Sequence, residues 1–443
     1  MSETMDRTIE RTEKAAMPLG LILLMLGVFS RVCRYLRWSA LSFGESEKAV
    51  LFDLEPSKML WGAALLLLLL SAVRRPNGKA FRVDTPLKIL LVFVALAVAS
   101  LMWSYDYRFA MTWVIRLYVP VIIYVLVSSY TRTLRDVRAW TYLFAFMGLA
   151  AFVFAGYETF IVIGRMGLFI KDGVGGDQYV GEYARWSVIG FAFGAYFALY
   201  PRKLWERLTG IAVMLCTVGT VYFTYRRAAL LCIGVVILVY LLTIGMKRRI
   251  LWVVPLLAVF ALGAIMAANP YYARRLATIP IIGGAGGVED FGEHERLDQF
   301  LAGLATAREN WTHGIGFGAT MLYFQREHGV GMTLPHNIVV RLIGELGVVG
   351  FGLYMAFLGS GMLRAWRVYR HSMREGDERQ ACAAVALLAS TLAILFYAMF
   401  QPLLYDTFFY ILTAVSSCMF SVVLGKSEAP DDLASETASP AVV

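Results

Sequence analysis

The sequence predicts an all-α, polytopic membrane protein of about 12 transmembrane helices, counted as apolar runs long enough to cross a bilayer. One large loop separates helices 9 and 10. Three observations carry this. Hydrophobic residues make up 59% of the chain, above the roughly 45–50% usual in soluble domains. Mean hydropathy is +0.63. The apolar residues also gather into continuous runs rather than alternating ones, which argues for helices and against a β-barrel.

The runs cover residues 18–33, 59–73, 89–103, 111–127, 140–164, 186–200, 208–224, 228–246, 250–268, 336–358, 381–400 and 407–424. Runs 59–73 and 186–200 are short and need flanking residues. The chain therefore divides into an N-terminal segment 1–17, helices 1–9 over 18–268, a loop 269–335, helices 10–12 over 336–425 and a tail 426–443. Mixed charge and the lack of a small-residue cleavage site predict an uncleaved start. The Ser-, Ala-, Glu- and Pro-rich tail reads as disordered.

Lys and Arg cluster on alternate loops, as at Arg74-Arg75, Arg202-Lys203 and Lys247-Arg248-Arg249. The positive-inside rule then places both termini in the cytoplasm and loop 269–335 outside. The net charge of +9 follows from topology and needs no nucleic acid. Five cysteines show no metal or disulfide spacing. Glu293-His294-Glu295 lacks a second ligand pair and reads as a solvated helix.

Loop 269–335 is long enough to carry structure or function. It holds a Gly-rich stretch at Gly283–Gly287 and a helix over 293–310, with Leu297, Phe300, Leu301 and Leu304 at helical spacing. Gly314, Gly316 and Gly318 break that helix. Pro335 then precedes His336-Asn337 and suits a helix start. On a continuing helix, His336, Val340, Ile343, Gly347 and Gly350 share one face, and the two glycines let another helix approach. His336 is thus placed at the outer edge of the bundle, where an imidazole (ordinary pKa about 6.5) can take a proton. An interfacial histidine that only anchors the loop is the alternative.

Guanidinium groups match phosphate oxygens in geometry and charge. The outer-side candidates are Arg165, Arg185, Arg226, Arg227, Arg274, Arg275 and Arg296. Adjacent Arg226-Arg227 in a tight outer turn oppose the positive-inside bias, so an anion is expected there; lipid headgroups are the other explanation. Arg185 begins the sixth run, where interfacial snorkelling is an alternative. Arg165/Gly176 and Arg275/Gly286 share an R-x10-G spacing. Arg116 lies inside the fourth run. Arg341 and Glu345 stand four apart on the tenth, which favours a structural pair.

The order Gly-x-Gly-x-Gly, His-Asn, nine residues, Gly-x-x-Gly resembles the signature of the O-antigen ligase and polymerase superfamily. The resemblance covers roughly 182–357 and the topology. It implies a GT-C-like glycosyltransferase of the Gram-negative inner membrane, with its site facing the periplasm and no metal or other cofactor. The donor it implies is a glycan on undecaprenyl diphosphate. The acceptor is a sugar hydroxyl of lipid A-core in a ligase, or a second lipid-linked unit in a polymerase. His336, Arg227 and Arg185 match catalytic positions. Arg226, Arg296, Asn337, Arg275, Arg165 and Arg341 are the substrate-binding candidates. Arg226 stands where the family often has a small residue. The R-x10-G spacing resembles one in polymerase loops, whereas H-N-x9-G-x-x-G favours a ligase. A polysaccharide transporter would call for internal repeats, which the chain lacks.

Overall fold

Apolar runs become helices here where the chain also supplies a start signal. Asp84, Asp106, Asp377 and Asp406 each accept a backbone N–H from the first turn of the helix that follows. Asn337 accepts two, from Val339 at 2.9 Å and Val340 at 3.1 Å. Such caps satisfy donors that a helix start leaves open. The computed structural model describes residues 19–32, 56–74, 82–157, 177–224, 227–244, 291–330, 334–401 and 403–425, all helix, turn or loop.

The helices are α1 (Leu19–Val32), α2 (Pro56–Arg74), α3 (Thr85–Ala99, extended by a 3-10 turn Ser100–Met102), α4 (Tyr107–Arg116), α5 (Tyr118–Tyr130), α6 (Leu134–Tyr157), α7 (Asp177–Leu199), α8 (Leu204–Thr224) and α9 (Arg227–Ile244). Then come α10 (Phe291–Glu309), α11 (Thr320–Glu327), α12 (Ile338–Arg374), α13 (Glu378–Tyr397) and α14 (Thr407–Val423). Among the described residues, six stretches are long and apolar enough to cross a membrane: Thr85–Met102, Tyr107–Tyr130, Leu134–Tyr157, Leu204–Val221, Ile338–Arg374 and Glu378–Tyr397. Four shorter apolar helices accompany them. The protein is a multi-pass membrane protein. The expected run 250–268 lies outside the described residues, as do segment 1–17, residues 269–290 and tail 426–443.

The packing follows from small residues. A Cβ on Gly190 of α7 would stand 2.5 Å from the Gly148 Cα of α6. A Cβ on Gly210 of α8 would stand 2.5 Å from the Gly194 carbonyl of α7. Backbones can approach this closely only where side chains are absent. Helices α7, α13 and α14 are buried along most of their length and form the centre of the bundle.

Two expectations need correction. Helix α12 has 37 residues, about 55 Å at 1.5 Å per residue, too long for one crossing. Gly347 interrupts it with φ 66 and ψ −171, a conformation essentially reserved for glycine. His336 and Asn337 precede the helix, and Gly347 is not helical, so the five residues do not form one helical face. The group that approaches Gly347 is the loop backbone at Thr312, which a Cβ there would overlap. Residues 348–374 suffice to span the membrane, and residues 338–346 form a separate short arm.

The loop helix forms as expected, at Phe291–Glu309, but its apolar stripe faces outward. Leu297, Phe300, Leu301 and Leu304 are exposed, while Gln299, Ala302, Thr306 and Ala307 are buried. An exposed apolar stripe suits a helix lying in the membrane interface.

Candidate functional site

The site is built where the loop meets the break in α12. A helix that stops at Gly347 leaves carbonyls without intrahelical partners. The Gly344 and Glu345 carbonyls accept N–H groups from Ile315 at 2.9 Å and Gly316 at 3.0 Å. The second segment restarts at Val348, whose N–H goes to the Trp311 carbonyl at 2.8 Å. The Gly-x-Gly-x-Gly turn is needed for this close docking. Gly314, Gly316 and Gly318 all have positive φ. Added Cβ atoms there would overlap Glu345, Ser104 and Trp113.

His336 stands just before this arm. Its Nδ1 lies 2.8 Å from Gln299 Oε1 on α10. An amide oxygen only accepts, so Nδ1 carries the hydrogen and Nε2 is the ring atom able to accept a proton. Gln299 is 3% exposed and holds the ring's orientation. Asn337 serves as the arm's N-cap, and its own carbonyl accepts the Arg341 N–H at 3.0 Å.

One turn on, Arg341 is wholly buried and pairs through Nε with Glu345 Oε1 at 3.0 Å. Thr320 of α11 donates to the same oxygen at 2.8 Å. The expected structural pair is therefore present. Arg341 Nη1, Nη2 and Glu345 Oε2 find no hydrogen-bond partner among the described residues. The Arg341 guanidinium lies 5.6 Å from the centroid of Trp113 and 5.3 Å from that of Tyr405. Both are cation–π distances.

Residues 398–401 and 403–406, between α13 and α14, tie these parts together. The Ala398 carbonyl accepts the Ile338 N–H at 3.0 Å. Gln401 Oε1 accepts from Arg185 Nη1 at 3.2 Å, and Asp406 pairs with Arg185 Nε at 3.0 Å. Tyr405 meets Trp113 and Phe317, and burial pushes its phenol well above the ordinary value. Arg185 thus lies well inside α7, buried and ion-paired, rather than at the helix start.

The other predicted arginines are placed only in part. Arg227 opens α9 and Arg296 lies on α10, with their side chains outside the described residues. The Cys232 thiol donates to the Ala393 carbonyl at 3.2 Å, so α9 begins at the level where α13 ends. Arg226, Arg165, Arg274 and Arg275 lie outside the described residues. No sequence pattern pointed to Gln299, Trp113, Tyr405 or Thr320. Asp406-Thr407 at the head of an apolar run was a readable cap signal.

Helical rise sets the depth. Tyr124 donates to Asp84 at 2.9 Å, and Arg364 donates to it at 3.1 Å. Both contacts mark the Asp84 end of the bundle on α5 and α12. Trp113 stands eleven residues before Tyr124, roughly 16 Å along the bundle, whereas Thr85–Met102 spans roughly 27 Å. By the same rise Val348 stands roughly 24 Å from Arg364, so Arg341, which precedes the break, lies near the loop end, and the Trp113 ring reaches it from below.

Residues 212–355, about a third of the chain, match the family model described as O-antigen ligase. The resemblance to the O-antigen ligase superfamily holds. No curated protein matches the chain. The matched segment runs from within α8 to just past the break in α12, so it contains Arg227, Gln299, His336, Arg341 and Gly347. The family comprises ligase- and polymerase-type enzymes of glycosyltransferase character that act on lipid-linked glycans.

Proposed function

We propose that the protein is an O-antigen ligase that transfers a glycan from undecaprenyl diphosphate to a sugar hydroxyl of lipid A-core. In this reading the loop end of the bundle faces the periplasm and the protein sits in the inner membrane of a Gram-negative bacterium. The observation that carries it is His336, oriented by Gln299 within the segment that matches O-antigen ligase.

The donor is already activated by its diphosphate. Transfer needs a base for the acceptor hydroxyl and cations for the charge that develops on the leaving group. His336 Nε2 takes the hydroxyl proton as the oxygen attacks the anomeric carbon. The bond to the diphosphate breaks, and the direct displacement inverts the anomeric centre. Arg227, Arg185 and Arg296 are the candidate cations. Arg185 already has carboxylate partners, so it acts through a shared network with Asp406. Arg226, Arg275 and Arg165 remain candidates for the donor's outer contacts.

The test uses purified protein, undecaprenyl-diphosphate glycan and lipid A-core. General-base help is typically worth about 10²–10⁴-fold, so His336→Ala should lose nearly all transfer while keeping donor binding. Transfer by His336→Ala at the wild-type rate overturns the assignment. A deletion strain separates the two family activities. Loss of all long chains from lipid A-core marks a ligase, and core bearing a single repeat unit marks a polymerase.

A further inference from the structure

The cleft walled by α1, α6, α7 and α8 has no part in the chemistry above. It holds about 460 Å³, within the roughly 300–1,000 Å³ of ligand clefts. Its lining is apolar apart from Tyr142, Glu206 and Thr209. It lies at the end of the bundle away from the loop. Arg379, which pairs with Glu206 at 3.0 Å, stands at the start of α13, and the other end of α13 meets Ile338 through the Ala398 carbonyl.

The shape follows from the sequence. Ala139, Tyr142, Phe146 and Leu149 recur at helical spacing and form the α6 wall. Tyr142 stacks on Phe197 of α7 at 4.8 Å and on Trp205 of α8 at 5.9 Å. Met25 lines the α1 side, and one turn on Phe29 meets Phe146 at 5.2 Å. Phe146 and Trp205 are exposed, so the cleft opens sideways, toward lipid. Ala139 to Leu149 covers roughly 15 Å of α6, half of a roughly 30 Å hydrocarbon core. The cleft therefore has the depth of a single leaflet.

Its charge is one-sided. The Glu206 carboxylate is filled by the Tyr142 hydroxyl, the Arg202 N–H and Arg379, so it is neutralised. The rim is basic. Arg135 and Arg138 each stand four residues before a lining residue of α6, Ala139 and Tyr142, and so continue that face toward the helix start. Arg202 stands four before Glu206, and Arg202, Lys203 and Arg207 are exposed. Trp205 beside them suits the headgroup level, where tryptophan is enriched.

We propose that this cleft binds an anionic phospholipid, with one acyl chain against Phe146 and Leu149 and the phosphate among Arg135, Arg138 and Arg202. An apolar wall of single-leaflet depth selects a lipid chain, and the basic rim selects an anionic head over a zwitterionic one. The bound lipid fills the space between α1 and the α6–α8 wall. The site stands apart from the transferase reading, since none of its residues lies at the loop end.

Native mass spectrometry of the full chain released from detergent micelles tests the site. The probes are dioleoyl phosphatidylglycerol, dioleoyl phosphatidylcholine and undecaprenyl diphosphate. Phosphatidylglycerol should bind more tightly than phosphatidylcholine, by about fivefold for each arginine near the phosphate. Arg135→Gln with Arg202→Gln should weaken phosphatidylglycerol by about twenty- to thirtyfold on the same scale and leave phosphatidylcholine nearly unchanged. Ala139→Phe fills the cleft and should weaken both. Should that variant fail to give monodisperse protein, Met25→Trp fills the cleft from the α1 wall and should act alike. Phosphatidylglycerol should also raise the thermal midpoint of the wild type, as a ligand of the folded state does, but not that of the filled variant. Equal binding of the two phospholipids by the wild type overturns the anionic head. Phosphatidylglycerol binding that survives the filled cleft overturns the site. Loss of undecaprenyl diphosphate alone from the filled variant assigns the cleft to a polyprenyl tail and overturns the phospholipid.

Discussion

Two carboxylate–arginine pairs sit on either side of the break in α12, Asp84–Arg364 half-buried and Arg341–Glu345 fully buried, and they are built differently. At the Asp84 end, Asp84 receives the Leu87 N–H, the Tyr124 hydroxyl and Arg364 Nη1. These bonds join α3, α5 and α12. Glu206 on α8 is likewise filled, by the Tyr142 hydroxyl, the Arg202 N–H and Arg379. At the loop end, Arg341 and Glu345 are only four residues apart and wholly buried. There one carboxylate oxygen and two guanidinium nitrogens lack hydrogen-bond partners among the described residues. Buried polar groups are normally satisfied. A pair that joins separate helices with both carboxylate oxygens filled acts as a staple, even where a guanidinium nitrogen such as Arg379 Nη1 stays open among the described residues. A pair that closes within one turn and leaves donors open is suited to receive a ligand.

The largest effect should come from the feature that makes the loop end different, the break itself. Gly347→Ala puts a side chain into a positive-φ conformation and onto the Thr312 backbone, costing at least about 1–3 kcal/mol of strain before any overlap. We expect a collapse of monodisperse protein on size-exclusion chromatography. Gly359→Ala, which meets nothing within 4 Å, should behave as wild type. Equal behaviour of the two variants would mean that the broken helix is not what docks the loop.

Next comes the pair. Glu345→Ala strands a buried cation and should cost about 3–5 kcal/mol of stability. The double variant Arg341→Met with Glu345→Leu removes both charges, so its thermal midpoint should return to the wild-type value or above. Transfer should stay lost in that variant if the pair is a site. Recovery of both stability and transfer would reduce it to a second staple. Arg364→Ala at the opposite end should cost less, about 1–3 kcal/mol for a charged hydrogen bond. Transfer per folded molecule should not change. A fall in specific transfer there would erase the distinction between the two ends.

The same contrast explains what could be read from the sequence. Each apolar run other than 250–268 overlaps a helix among the described residues, with runs 111–127 and 336–358 interrupted, because hydropathy and length dominate inside a bilayer. The break at Gly347 was hidden: a glycine in an apolar run reads equally well as close helix packing, and only the docked loop shows otherwise. The orientation of α10 was hidden for a related reason. Its apolar stripe looks like a core face in water but can face lipid here, leaving Gln299 inside. His336 was legible from local pattern. Trp113, Tyr405 and Thr320 reach the site from distant segments, and no spacing rule links them to it.

The smallest effect, and the sharpest test of how the loop end works, concerns Gln299. Its oxygen accepts the Nδ1 hydrogen of His336 and so selects the tautomer with a basic Nε2. Gln299→Leu keeps the size but removes the acceptor, so the ring loses that preference and its fixed orientation. Transfer should fall by about tenfold, less than the roughly 10²–10⁴-fold of the base itself because the ring is still present, with donor binding unchanged. Gln299→Glu restores an acceptor and adds a negative charge, which favours the imidazolium. That variant should recover the maximal rate but lose activity at a higher pH than wild type, because His336 then holds its proton to higher pH. A purely structural Gln299 would show a lower thermal midpoint in both variants and no displacement of the pH profile. A displaced profile at constant midpoint can arise only if the α10 side chain acts through the ring.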